Sequence, residues 1–431
     1  MSSGMIIVVA VFLILLFAGF PCLFALGLPG IIWLLINPGV PSSMLATNMM
    51  GYLNSFTLLC LPGFMFVGRL MNTCGITDRL FQFCTALVGR FRGGMAYSNA
   101  VTSMLFASMS GSAIADAGGL GLVEMSMMKR AGYKADFAAG ITAASSIIGP
   151  IIPPSAAMVM VGTMGNISVA KMFVAGIFPG AMTCALLCLN VWFRAHFTAE
   201  GKEWPCTKVS AKQTIRCTLR AIPSLGTFII IMGSIMAGIC TPTEAAVLAV
   251  WYSIFLGIIY KKVTLKGLWE TLKATATTCG PLFVIMTAAS IFTWILTREG
   301  LSNMISSLMA QYSGVVSDKV IVAICVVVFL LIGCFIDSSS AVLLLSPVVF
   351  PVIRAFGIDP VYFGVLMVYA LIIGVITPPF GICLFVVSGV AKLPVSAVTK
   401  EAVRYLPMMI LLCIIMILFP NIVTFLPNLL F

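Results

Sequence analysis

Four carboxylates lie inside or beside strongly apolar segments: Asp116, Glu124, Glu244 and Asp337. A charged side chain at the centre of a bilayer costs about 2.5–3.5 kcal/mol on insertion scales, so each needs a partner or a role. Two of them stand next to hydroxyls, since Ser110-Gly111-Ser112 precedes Asp116 and Asp337 opens Asp337-Ser338-Ser339-Ser340. A bare carboxylate pair holds sodium weakly. Hydroxyls joined by backbone carbonyls released from a broken helix supply the several hard oxygens that a small cation needs. The chain encodes such a break twice, at Gly149-Pro150-Ile151-Ile152-Pro153-Pro154 and at Gly374-Val375-Ile376-Thr377-Pro378-Pro379. Freed backbone groups survive in lipid only where protein or water satisfies them, which marks both places as built sites.

Two candidate cation clusters follow. The first holds Ser110, Gly111 and Ser112 with Gly149 and Pro153; the second holds Asp337, Ser338 and Ser339 with Gly374 and Thr377. The half-helices that start after each Pro-Pro aim their positive ends at the same region, where an anion can rest. Ser112, Asp116, Pro154, Ser155, Ser340 and Pro379 are the candidate substrate contacts. Asp116 and Asp337 act there directly or by ordering the chain around them, a helix cap or a structural hydrogen bond being the alternative. Glu244 stands third after Thr241 in Thr241-Pro242-Thr243-Glu244, the pattern of a capping box, and is read as structural.

Enzymatic chemistry has little to work with. His196 is the one histidine, no HExxH or phosphate-binding Gly-rich loop occurs, and energy must come from an ion gradient or a partner. The 14 cysteines form no CxxC pair and read as small apolar fillers. The net charge of +11 sits in short loops between apolar runs, which argues for the positive-inside rule and against nucleic acid.

The elements that must position these residues are membrane helices. With 61% hydrophobic and 9% charged residues, a water-soluble fold of this length could not hide its apolar surface. Residues 1–68, 274–297, 360–391 and 405–431 carry no Asp, Glu, Lys or Arg at all. Roughly ten to twelve spans and shorter membrane segments are expected from such runs. No basic residue precedes the apolar run 5–16, so the N-terminus reads as retained membrane structure instead of a signal peptide.

The Gly132 to Pro153-Pro154 pattern recurs as Gly357 to Pro378-Pro379 at an offset of 225, and Gly75-Ile76-Thr77-Asp78-Arg79-Leu80 resembles Gly300-Leu301-Ser302-Asn303-Met304-Ile305 at the same offset. Asp116 and Asp337 match at 221 if a four-residue gap is allowed. These marks divide the chain into repeats at 1–200 and 221–431, joined by a cytoplasmic linker at 201–220. Loops 69–94 and 129–136 of the first repeat hold seven basic residues, whereas their counterparts hold Arg298, Lys319 and Arg354. Equivalent loops therefore face opposite sides, as an inverted repeat requires.

Between Gly94 and Lys129, and again between Lys319 and Arg354, lie 34 residues. That is about 51 Å of helix, long for one span and short for two. Each stretch fits a re-entrant hairpin, at about 95–128 and about 320–353, with the Ser-rich segments as tips and breaks at 149–154 and 374–379. A single kinked helix is the alternative.

Ser110-Gly111-Ser112-Ala113-Ile114-Ala115-Asp116, Gly149-Pro150-Ile151-Ile152-Pro153-Pro154-Ser155, Lys171-Met172-Phe173-Val174-Ala175-Gly176-Ile177-Phe178-Pro179-Gly180, Thr241-Pro242-Thr243-Glu244-Ala245 and Gly374-Val375-Ile376-Thr377-Pro378-Pro379-Phe380-Gly381 together resemble the large membrane subunit of tripartite ATP-independent periplasmic (TRAP) transporters, the DctM-type permease. The resemblance covers essentially the whole chain. It implies an all-α polytopic inner-membrane protein, an inverted-repeat elevator with two re-entrant hairpins and two broken helices. It also implies sodium-driven import of a small organic acid, delivered by a periplasmic binding protein to a complex with a small four-helix subunit. Sodium sites in this family lie at the hairpin tips and helix breaks. The second tip departs from the family's usual Asp-Pro-Thr or Asp-Leu-Thr-Pro by reading Asp337-Ser338-Ser339-Ser340, and Ala113 replaces a small polar residue at the first. The rival readings are a stand-alone sodium/carboxylate symporter, and a channel or structural membrane subunit.

Overall fold

A computed structural model describes residues 3–41, 43–206, 210–300 and 317–431, leaving out the side chains of Ser3, Phe17, Tyr52, Thr77, Asp78, 107–110 and Ala211. All regular structure among the described residues is helical. Seven of these helices are long and apolar enough to cross a membrane, among them Val169–Phe197, Pro242–Ile259 and Leu265–Arg298. Large apolar side chains such as Trp251 and Ile258 stand outward, 67% and 63% exposed, where lipid supplies the apolar surroundings. The fold is the all-α membrane architecture that the resemblance implies.

Helix ends follow local rules. Thr241 and Glu244 form the expected capping box: Thr241 N donates to Glu244 Oε2 at 2.8 Å, and Glu244 N donates to Thr241 Oγ1 at 3.4 Å. Gly132 and Gly357, the repeated glycines, adopt φ of +92° and +67° just after the helices ending at Arg130 and Ala355. Only glycine takes that left-handed conformation without strain, which is why the repeat keeps it.

Each half contains a hairpin followed by a broken helix. In the first, Gly94–Ser110 descends to a turn at Gly111, and the chain returns through Ala113–Ala115, a π-helical Asp116–Leu120 and Gly121–Arg130. In the second, Asp318–Gly333 turns at 334–337 and returns as Ser338–Ala355. The first broken helix is Ala135–Ser146, an irregular stretch, then Ala156–Met164; the second is Pro360–Val375, another gap, then Ile382–Ala391. Both Pro-Pro peptide bonds, 153–154 and 378–379, are cis. Residues 301–305, used in one of the repeat matches, lie outside the described residues, as do 207–209 of the linker.

The halves interleave. Ala156–Met164 packs on the return arm Ser338–Ala355 of the second hairpin, while Ile382–Ala391 packs on Ala135–Ser146 and on the return arm of the first. A wall of Cys60–Thr73, Pro242–Ile259 and Leu265–Arg298 stands beside them. Near the start of the linker, Arg194 reaches across the repeats to Glu401 at 3.0 Å and lies over the ring of Phe137, its centre 4.8 Å away. Glu401 also holds Arg404 at 2.6 Å, so the one acid is shared by two guanidinium groups.

Candidate functional site

The first tip is shaped by glycine. Gly111 takes φ +57°, and a Cβ there would stand 2.9 Å from Pro154 O and 3.1 Å from Ala156 N, all backbone of the first break. Ser112 then caps the return arm, its Oγ accepting from Ala115 N at 3.5 Å. Within the break, Ser155 is fully buried and fully engaged: its hydroxyl donates to Pro150 O at 2.5 Å and accepts from Met158 N at 3.2 Å as the N-cap of the half-helix. Gly149, Pro153 and Pro154 are buried beside it, and the Ser110 side chain lies outside the described residues.

The second site repeats the plan with other residues. Asp337 is the N-cap of the return arm, its Oδ2 accepting from Ser339 N at 3.0 Å. Gly374 packs against Gly333, so closely that a Cβ would be 2.5 Å from the Gly333 carbonyl carbon, and Gly381 N donates to Cys334 O at 3.1 Å. Ser338 is 3% exposed and Ser340 half-buried, while Thr377 Oγ1 donates back to Ile373 O at 2.7 Å. The two breaks differ in cover: Pro153-Pro154-Ser155 is buried, whereas Pro378-Pro379-Phe380 is exposed, with Phe380 against Phe335 at 5.3 Å between ring centres.

The structure pairs Asp337 with Ser112, not with Asp116. Both cap a return arm, and their separation is the same 225 residues as that of the Pro-Pro motifs, so the four-residue gap is unnecessary. Asp116 instead begins the π-helical turn, 2% exposed, and points into the protein beside Ser103. There it adjoins a buried polar network. Asn99 donates to Glu124 Oε2 and Thr142 Oγ1, each at 2.8 Å, and accepts from Ser145 Oγ at 2.7 Å, while Ser103 Oγ donates to Ser145 Oγ at 3.1 Å. This network ties both arms of the first hairpin to Ala135–Ser146.

The two tips meet at one cavity of about 570 Å³, within the range that holds small-molecule ligands. Ser112, Asp337 and Ser339 line it, together with Ala156 at the mouth of the first half-helix. Asp116, Ser155, Ser340, Pro154 and Pro379 do not. The facing side is the wall, which contributes Arg69, Asn72 and Thr278. Arg69 Nη2 donates to Thr278 Oγ1 at 2.7 Å, a contact between residues 209 positions apart. Sequence reading counted Arg69 only as a loop charge. The usable signal was there: it is the first charged residue of the chain, one turn from the end of an apolar helix, and the hydroxyls of Thr275, Thr277 and Thr278 interrupt another apolar run.

The family model "Tripartite ATP-independent periplasmic transporter, DctM component" matches residues 9–422. The sialic acid TRAP transporter large permease protein SiaM of Vibrio cholerae is 40% identical over 423 residues, covering 96% of each chain. The sialic acid TRAP transporter permease protein SiaT of Haemophilus influenzae is 36% identical over all of this chain and 69% of its own length. Among solved structures, the Alcanivorax borkumensis YdaH transporter matches with a TM-score of 0.61 and 15% identity over 86% of both chains, a likeness of fold alone.

Proposed function

The chain belongs to the DctM component family of tripartite ATP-independent periplasmic transporters, a membrane permease and not an enzyme, and from that premise we propose that it imports a small organic acid with sodium across a bacterial inner membrane. Its partners on this reading are a small four-helix membrane subunit and a periplasmic binding protein that delivers the acid. The repeats are inverted, and the hairpins and broken helices move together against the wall as an elevator carrying acid and sodium. Sialic acid is the first substrate to test, since two relatives carry it in their names.

One observation carries the reading most. Both tips, capped by Ser112 and Asp337, open on a single cavity next to the first break, so oxygen ligands for a cation and an anion-binding helix start share one space. Sodium bound at each tip would neutralise the field of Asp337 and let an anion enter. The complex in proteoliposomes, given an inward sodium gradient and binding protein loaded with sialic acid, is expected to take up the acid only when both are present. Uptake indifferent to sodium sinks the coupling, and uptake without the binding protein favours the stand-alone symporter. Ser112→Ala and Ser338→Ala are each expected to raise the half-saturating sodium concentration about 5- to 10-fold, the loss of one oxygen ligand worth ~1–1.5 kcal/mol. An unchanged sodium curve in both variants would remove these hydroxyls from the sites.

A further inference from the structure

We propose that Arg69 is the carboxylate anchor of the cavity, held on the wall and not on the hairpins, so that the acid is gripped by its charged end in one transport state only; this rests on the organic-acid reading above. Among the residues lining the cavity, Arg69 is the only basic one and Asp337 the only acidic one. Among the described residues its one side-chain hydrogen bond is to the neutral hydroxyl of Thr278, and no carboxylate lies within ion-pair distance of it. A guanidinium carries five donors in a planar fork that matches a carboxylate bidentately, so four remain for a ligand. Thr278 in turn donates to Ala274 O at 3.0 Å, which fixes its oxygen to receive Arg69 and sets the direction of the fork.

The neighbouring groups extend the match. Asn72, one turn along from Arg69, has a side-chain amide without a hydrogen-bond partner among the described residues, and it lies close to the first hairpin, 3.7 Å from where a Cβ of Gly119 would be. The hydroxyls of Ser112 and Ser339 and the carboxylate of Asp337 occupy the other side. An acid with its carboxylate on Arg69 and hydroxyl or amide groups toward Asn72 and the tips satisfies both sides. A simple hydrocarbon acid satisfies only the first. The ligand class is therefore a hydroxylated or amidated monocarboxylate, of which sialic acid is one.

Because Arg69 sits on the wall, its contact is lost when the tips slide away. The segment 69–94, which carries the end of helix Cys60–Thr73 and the helix Ile76–Val88, is rich in basic residues, which places this end of the wall on the cytoplasmic side. Arg69 thus meets the acid at the inner end of its path, where it holds the substrate until the bound cations leave.

The test uses the purified complex of this chain with its small subunit, and reads thermal stabilisation by sialic acid and by its neutral methyl ester in saturating sodium. The wild-type complex is expected to be stabilised by the acid and far less by the ester. Arg69→Gln is expected to weaken apparent acid affinity about 10- to 100-fold, as loss of a charge-assisted bidentate contact does, without altering the ester response. Arg69→Lys, which keeps the charge, should recover part of that loss. Equal acid affinity in the wild type and Arg69→Gln overturns the anchor alone. Absence of any acid-dependent shift in the wild type overturns it together with the choice of acid, while sodium-dependent stabilisation of the same sample reports on the cation sites separately.

Discussion

Replacing Gly111 by valine is expected to reduce uptake to background, at least 100-fold by the barrier arithmetic of ~3 kcal/mol or more. Two costs add at this position. A β-branched residue at φ +57° is strained by about 1–2 kcal/mol, and its Cβ would press on Pro154 O, Ala156 N and Ser155 Cα at 2.9, 3.1 and 3.2 Å. Those atoms are backbone in a buried break, so they cannot swing aside as a side chain tip can. Overpacking of that kind costs a further ~1–3 kcal/mol. The tip must therefore lift from the break, and the oxygens of the first cluster separate. Gly132→Ala is the control, because φ is +92° there yet nothing lies within 4 Å of its Cβ position. It should cost only the backbone term, about 1 kcal/mol, and leave uptake within a few-fold. Uptake in proteoliposomes checks both, with thermal unfolding of the purified complex confirming that each variant is folded. Normal uptake by Gly111→Val, or equal loss in the two variants, would show that close approach of tip to break is unimportant.

The close approach was legible in part from the sequence. Pro-Pro after a glycine marks a break because proline lacks a donor and clashes with the preceding turn, and that effect is local. Ser, Asp and Gly between apolar runs mark a tip for equally local reasons. Both hairpins and both breaks could therefore be found from residue type and spacing. The wall of the cavity could not. Arg69 and Thr278 are 209 positions apart, and nothing local tells which apolar helix will face the tips. Asp116 illustrates the opposite difficulty. A carboxylate four residues past Ser112 looks like a site ligand, since i and i+4 share a face of a regular α-helix, but Asp116 opens a π-helical turn and is buried away from the cavity, while the cap itself is the residue equivalent to Asp337. The uniform offset of 225 carried this information, and chemical similarity of two aspartates concealed it.

The two tips also show how a repeat can diverge in its residues while both still cap a return arm. Gly111 makes the first approach possible, with Ser112 as cap; at the second, Gly333 and Gly374 meet in the space that side chains would fill, and Asp337 is the cap. Asp337 brings a full charge that Ser112 lacks. The charge of Asp337 adds to the cation preference of its tip, while Arg69 on the wall of the same cavity favours an anion. On the proposed reading of sodium-coupled acid import, such an asymmetric pair would suit a cavity that must take both a cation and an anion.

The interior of the first hairpin sets the second large effect. Asn99→Leu is expected to lower stability by about 3–5 kcal/mol, because it removes a group that serves three others at once and leaves a buried carboxylate unpaired. Glu124 is 1% exposed, its Oε1 has no hydrogen-bond partner among the described residues, and its Oε2 depends on Asn99 at 2.8 Å. Thr142 and Ser145 lose their contacts to Asn99 in the same step. No basic residue forms an ion pair with Glu124 among the described residues, so the cost is not offset elsewhere. Glu124→Gln makes the contrasting prediction. It preserves shape and an acceptor for Asn99 while leaving no ionisable group in a buried site without a counter-ion, and should change stability by less than about 1 kcal/mol or raise it. The double variant Asn99→Leu with Glu124→Leu replaces both polar partners and should recover about 2 kcal/mol or more of the single variant's loss, a non-additivity expected only of groups in direct contact. Denaturation of the purified complex followed by tryptophan fluorescence reads all three. If the double variant is less stable than Asn99→Leu by the full cost of a second cavity, the network acts through packing and the carboxylate carries no penalty when stranded.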